Sequence, residues 1–259
     1  MPCMFLAIHV SSLEIEFGVL NDEGKIVSKF SISTENKKTI DQYVLEIKNV
    51  FDYLKIGKDE ITHAAILSTI PKFNHIIADF LKKYIKIEPI IITNNIVPLQ
   101  HDNVDINEVP VDIFAGCYAC GKNYGDNTVF INFDSIITFG VCINNNFNGY
   151  VVFPGMDTLA DVLHRQDPNY PEIVIKETRD TYASTRYNAL NCGVFNGIMG
   201  ACDNIVNNIL TENDKKQFKV VATCKNASLL KYSKTINIID QDLRIKSIAE
   251  VSKYNLLAM

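Results

Sequence analysis

The stretch FLAIHVSSLEIEFGVLNDEGKIVSKF, Phe5 to Phe30, decides the fold. Its apolar residues alternate over short runs that are broken by polar turn residues, so it reads as three short strands joined by two turns. The first turn lies at His9-Val10-Ser11-Ser12, and the second carries Gly24.

The same pattern returns at Val129 to Phe153, VFINFDSIITFGVCINNNFNGYVVF. Phe17-Gly18-Val19 answers Phe139-Gly140-Val141, Gly24 answers Gly149, and His9-Val10-Ser11-Ser12 lies against Asn132-Phe133-Asp134-Ser135 with a one-residue difference in spacing. Any two β-meanders share alternation and Gly/Asn turns, because strand geometry imposes both. The segments after each meander argue instead for a duplication. After the first comes a helical stripe at Ile40, Val44, Ile47, Val50, Phe51 and Leu54, then a strand in HAAILSTIP (63–71), a helix in NHIIADFLKKYI (74–85) and a strand in PIIITNN (89–95). After the second comes a short apolar stretch from Glu172 to Glu177, a long helix from Ala189 to Leu210, a strand in FKVVATC (218–224) and a final helix in IKSIAEVSKYNLLA (245–258). The expected class is α/β, with two duplicated domains, each a mixed sheet with flanking helices. The turn-rich GKNYGDN (121–127) sets the expected halves at 1–121 and 127–259, the last helix packing back on the first half.

The 259 residues are 47% apolar and 21% charged, and 25 Lys and Arg against 30 Asp and Glu leave a net charge of −5. That is no basic footprint, so no nucleic-acid partner is expected. The first strand opens within five residues, so no signal peptide is expected. No apolar run approaches the roughly 18 residues of a membrane span. The seven cysteines are odd in number and sit among apolar neighbours, as reduced thiols of a cytoplasmic protein do.

Two α/β halves that each open on a meander resemble the ribonuclease H-like, actin-like ATPase class, the actin, hexokinase and Hsp70 phosphotransferases. Within it the segment order resembles the type III pantothenate kinases nearly end to end. Val10 with Phe17-Gly18 fits the family's Asp-Val-Gly-Asn-Thr turn and Phe-Gly strand end, and LSTIP (67–71) resembles its Ser-Ser-Val-Val-Pro. HDN with EVPVDI (101–113) resembles Tyr-Asp-Asn-Pro and Glu-Val-Gly-Ala-Asp-Arg, and NGYVVFPG (148–155), ending in Gly155, resembles Gly-Gly-x-Ile-x-Pro-Gly. STRYNALNCGVFNG (184–197) resembles the Asn-Thr…Ser-Gly-Ile helix entrance, and IIDQDL (238–243) the acidic C-terminal strand. The resemblance implies ATP-dependent phosphorylation of pantothenate, the first step of coenzyme A synthesis. It implies ATP in a cleft between the halves, Mg²⁺, a monovalent cation (K⁺ or NH₄⁺), and a homodimer. The small face Cys192, Gly193, Asn196, Gly197 and Gly200 would let helices approach closely.

The departures fall on the residues the resemblance makes functional. At the first phosphate turn the family's metal-supporting Asp is His9 and its glycine is Ser11, followed by Ser12 and Leu13. Imidazole is a poor ligand for a hard ion, and a Cβ hinders close backbone approach. At the second turn, Asn132-Phe133-Asp134-Ser135-Ile136-Ile137-Thr138, the cation-supporting Asp is Asn132, and Asp134 puts a carboxylate where a glycine amide would face phosphate. At the adenine pocket the family's Gly-Gly becomes Cys224-Lys225. Weakened or lost activity is therefore expected, the alternative being a non-catalytic paralogue that binds a partner or small molecule.

Asp112 fits the family's catalytic Asp, which accepts the proton of the pantothenate hydroxyl, and it equally suits an acid at a helix start. The family's following Arg is Ile113. Thr185 aligns with a pantothenate-contacting Thr and also suits a helix cap, and His101 stands where the family has Tyr. Cys117 and Cys120 share a helix face, as half of a zinc or redox site or as buried structural thiols. His9 could alternatively serve as a phosphate-binding cation, a metal ligand or a satisfied polar group at a strand end.

Overall fold

The computed structural model describes residues 4–34, 38–213, 217–225 and 227–257; Cys3 lies outside them. The chain divides into two compact units, one made of Met1–Pro98, Asp105–Ala119 and Leu243–Met259, the other of Leu99–Val104 and Cys120–Asp242.

In the first unit β1 (Met4–Val10), β2 (Glu14–Leu20) and β3 (Ile26–Ser33) form an antiparallel meander, and β4 (Ile61–Ser68) and β5 (Ile90–Ile91) add to it in parallel, in the order β3-β2-β1-β4-β5. Parallel pairing requires crossovers, and helices supply them. Helix α1 (Ile40–Leu54) connects β3 to β4, and α2 (Lys72–Phe80), prolonged by a π-helical turn at Leu81–Ile85, connects β4 to β5. Thr39 starts α1 with a capping box: Gln42 N donates to Thr39 Oγ1 at 3.3 Å and Thr39 N to Gln42 Oε1 at 2.7 Å. Strand alternation sends Leu6, Ile8 and Val10, with Ile15, Phe17 and Val19, into a core against Val44, Ile47 and Phe51 of α1 and Phe73, Ile77 and Phe80 of α2. Helix α3 (Val111–Tyr124) comes next, and the division between units falls inside it.

The second unit repeats the plan. Strands β6 (Thr128–Phe133), β7 (Ile136–Ile143) and β8 (Asn146–Pro154) form the meander, followed by α4 (Met156–Gln166), α5 (Arg186–Glu212), β9 (Lys219–Cys224), α6 (Ala227–Leu230) and β10 (Ile238–Ile239). The order β8-β7-β6-β9-β10 matches the first sheet, with two antiparallel pairs and two parallel ones. Asn144 and Asn145, both left-handed at φ 54° and 57°, make the tight β7–β8 turn that strand twist favours. Val129, Ile131 and Phe133 pack with Val194, Phe195 and Ile198 of α5.

The glycines of the two Phe-Gly-Val repeats fix the register, Gly18 opposite Ala7 and Gly140 opposite Phe130. His9 and Asn132 are therefore equivalent, and the first turn is one residue longer than the second. The last helix, α7 (Leu243–Leu257), packs on β1 and β4 of the first unit. It also presses on β2 at Gly18, where an added Cβ would lie 2.3 Å from Ile245 Cγ2.

Two segments go beyond the sequence reading. Glu172 to Glu177 forms no regular element and holds its place by burying Ile175 and by an Asn191 amide that bonds the Lys176 backbone, Lys176 N donating at 2.8 Å and Asn191 Nδ2 donating to Lys176 O at 3.0 Å. Helix α4 was not predicted; it uses Met156 and Ala160, one turn apart, as its buried face. Among the described residues no helix is long and apolar enough to cross a membrane.

Candidate functional site

At the first turn, Ser11 N donates to Glu14 O at 2.9 Å and Ser11 Oγ to the same oxygen at 3.1 Å. The turn closes on itself through the serine, and Ser11 is not among the residues with positive φ, so this backbone does not require glycine. Ser12 is exposed. The Ser68–Pro71 turn docks beside it: Thr69 N and Thr69 Oγ1 donate to Val10 O at 3.0 and 3.2 Å.

His9 is 3% exposed, and neither ring nitrogen has a hydrogen-bond partner among the described residues. Burial, and then the Arg244 guanidinium, push its pKa down to about 3, so the imidazole is neutral at physiological pH. Its cross-strand partner is Glu16. Burial pushes the Glu16 carboxyl up, while Arg244 and Lys29, the latter 3.5 Å from Oε1, pull it back. Arg244, in the first turn of α7, is 8% exposed. This buried group of His9, Glu16 and Arg244 is invisible to a local reading, because Arg244 sits in sequence beside the apolar Leu243 and Ile245 and reaches β1 only through the packing of α7. An enclosed neutral imidazole offers no oxygen, and the adjacent carboxylate already faces two cations. The residues at this turn do not fit a divalent ion.

Asp112 lies half-buried in the first turn of α3. Its approach is fixed by Asn94, in the short 3-10 turn after β5, whose Nδ2 donates to Ile106 O at 2.5 Å and Val109 O at 2.8 Å, and the helix starts on Pro110 O, which accepts from Ile113 N and Phe114 N. His9, Ser11, Ser12, Asp112 and Cys117 belong to the first unit; the remaining candidates belong to the second.

At the second turn, Asp134 Oδ1 accepts from Ser135 N at 2.8 Å, so the carboxylate caps its own turn. Gly155 seals this turn from the side. Its N–H donates to Ser135 O at 2.9 Å, and a Cβ there would lie 2.2 Å from Asp134 O and 2.6 Å from Ser135 O. Thr158 Oγ1 donates to Ser135 O at 2.6 Å. Gly155 is thus demanded by close approach, since its φ of −76° suits any residue. Asn132 pairs across to Thr138 on β7 and Thr223 on β9, a row of buried neutral polar side chains. Thr223 was missed by the sequence reading, although it stands one residue from the end of FKVVATC and alternation places it beside Asn132.

Cys224 is buried at the end of β9, and Lys225 after it is exposed, its carbonyl accepting from Gln241 Nε2 at 3.3 Å. Thr185 is exposed and caps α5, accepting from Asn188 N at 3.3 Å. His101 is half-buried in the 99–104 segment. Cys117 and Cys120 are buried, and burial pushes the Cys120 thiol well up, which suits an inert packing group. Among the described residues no three His, Cys, Asp or Glu gather as a metal group.

Two mixed sheets of one topology, each with a turn at the end of its central strand, define the duplicated actin-like ATPase class. A ROK family glucokinase from Streptomyces griseus, solved with glucose and AMPPNP, has the same fold (TM-score 0.56, 10% identity, covering 97% of this chain and 99% of that one). So does the ethanolamine utilization protein EutJ from Carboxydothermus hydrogenoformans (TM-score 0.57, 11% identity, 96% and 90% covered). The family model for type III pantothenate kinase matches residues 5–208, and the chain belongs to that family. Type III pantothenate kinases from Finegoldia magna and Agathobacter rectalis are similar over nearly their whole lengths. The first is 26% identical, with 98% of this chain and 99% of the relative covered, and the second 27% identical, with 95% of each covered.

Proposed function

We propose that this chain is a type III pantothenate kinase-like protein that takes ATP and pantothenate and transfers the phosphoryl group poorly. His9 carries this reading: a buried neutral imidazole stands where the family resemblance puts a carboxylate that supports the metal. Asp134 adds a negative charge at the second turn. Phosphoryl transfer depends on stabilising the charge that develops on the phosphate, and each lost contact of that kind costs about 10²-fold or more.

Asp112 is the proposed base, accepting the proton of the pantothenate hydroxyl and orienting that oxygen. Thr185, His101 and Gly155 are the proposed pantothenate side, and Ser11, Ser12, Ser135, Thr138, Cys224 and Lys225 the degenerate nucleotide side. Asn132 offers a neutral amide oxygen for a monovalent cation, without the charge of a carboxylate. A homodimer joined through the α5 face is proposed with them. Gly193, Gly197 and Gly200 have open space where a Cβ would be, which suits a close neighbour. Sedimentation of a monomer at micromolar concentration would remove this part of the proposal.

A coupled assay at saturating ATP, Mg²⁺ and K⁺ tests the catalytic part. Turnover well below about 1 s⁻¹ that falls at least a further ~10²-fold in Asp112→Asn supports a weakened kinase. Turnover in the ordinary range refutes the weakening. No turnover, with no heat on titrating ATP or pantothenate, points to a non-catalytic paralogue.

A further inference from the structure

We infer that the first turn of this chain is closed to divalent cations by an internal cation, the Arg244 guanidinium, and that any nucleoside triphosphate it binds is held without a metal ion at this position. The inference rests on the family reading above for where a metal would be sought, and on this chain's own residues for why none enters.

The geometry has three parts. Alternation along β1 places Ala7 and His9 on the face opposite the α1–α2 core, and Gly18 and Glu16 lie directly across from them on β2. Helix α7 packs on β1 and β4 with Ile245 against Gly18, and Arg244, the residue before it, is near enough to act electrostatically on both His9 and Glu16. Its charge is felt by both side chains, and it is almost wholly buried.

A divalent ion here would therefore meet a guanidinium in a water-poor site, where like charges repel far more strongly than in solution. Glu16, the carboxylate directly across from His9, is already paired with Lys29 and lies within the field of Arg244. His9 alone does not account for the exclusion. If it did, restoring a carboxylate through His9→Asp would restore the ion. With Arg244 in place, the introduced carboxylate would pair with the guanidinium instead. Only removal of Arg244 together with the His9 change leaves two carboxylates across one strand pair with no guanidinium between them, a set of oxygens that suits Mg²⁺ or Mn²⁺.

The probe is Mn²⁺, and the reporter is the ¹³C-labelled Ala7 methyl, assigned through Ala7→Gly. Paramagnetic broadening of this signal reads a metal at the turn whether or not the protein has kinase activity, so a failed kinase assay and a failed inference are separate results. Wild type and His9→Asp are expected to show no selective broadening, with or without equimolar ATP, and His9→Asp/Arg244→Met to show it. Broadening in wild type overturns the inference. So does broadening in His9→Asp that equals the double variant, because Arg244 would then block nothing, and so does its absence in a double variant with a native near-ultraviolet spectrum. Should the double variant not fold, the first two proteins decide: broadening in either overturns the inference, and none in both supports it.

Discussion

His9 and Asn132 occupy the same place in two sheets of the same strand order, each one residue before the end of the central strand. Across the meander His9 faces Glu16 and Asn132 faces Thr138, so the first half holds a charged group under α7 and the second a row of neutral amide and hydroxyls. Neither position presents a carboxylate. The two halves thus lack formal negative charge at equivalent points by different chemistry.

The buried His9 makes the fold acid-sensitive. Its pKa, about 3 when folded against an ordinary 6.5, is lowered, so its contribution is complete above pH 6.5 and is lost as pH falls toward 3. Between pH 7.5 and pH 5 the chain is expected to lose about 2 kcal/mol from this residue. His9→Asn should remove most of that loss. Urea denaturation of both proteins at the two pH values measures it, and identical slopes with pH would show that His9 is not the group responsible.

Gly18→Ala drives a methyl into Ile245 and should cost about 1–3 kcal/mol, as overpacking does. Adding Ile245→Ala should recover part of the cost, a coupling that a double-mutant cycle of thermal melts reads. Additive effects would mean that α7 does not press on β2 at this point.

The glycines of the second unit should part company. Gly155→Ala has backbone oxygens in its way and should destabilise by about 3 kcal/mol, detaching the start of α4 from the Asp134–Ser135 turn. Gly197→Ala enters open space within a helix and should stabilise an isolated chain by about 0.5–1 kcal/mol. If the α5 face joins two copies, the same change should weaken the dimer, and melts across a range of protein concentration separate the two effects.

Thr185→Ala removes the α5 cap and should lower stability by about 1 kcal/mol, with Thr185→Ser retaining it. If Thr185 also contacts pantothenate, calorimetry will show weaker binding in Thr185→Ala at a temperature where both proteins are fully folded. Unchanged binding would leave it a cap alone.

Both meanders were legible because their signals are local: strands alternate every second residue, and Asn and Gly mark the turns. The equivalence of His9 and Asn132 could be read from the Phe-Gly-Val repeat for the same reason. Other features rest on contacts distant in sequence. Nothing near Arg244 announces that it will lie beside His9 and Glu16. The fit of Gly155 against Asp134 and Ser135 is likewise set by tertiary approach, while its sequence context reads as an ordinary helix start. Thr185 was legible as a cap because the Thr185–Asn188 bond spans a single turn.

The first unit opens the sequence and closes it, with a middle segment, Asp105–Ala119, between the two pieces of the second. On the ribosome, β1 and β4 emerge early with one face uncovered, and every residue of the second unit must be made before α7 arrives to cover it. The nascent chain therefore carries its opening sheet half-dressed for most of synthesis, with Ala7 and Gly18 at the bare surface. The later half can complete its own fold first, and the earlier one closes last.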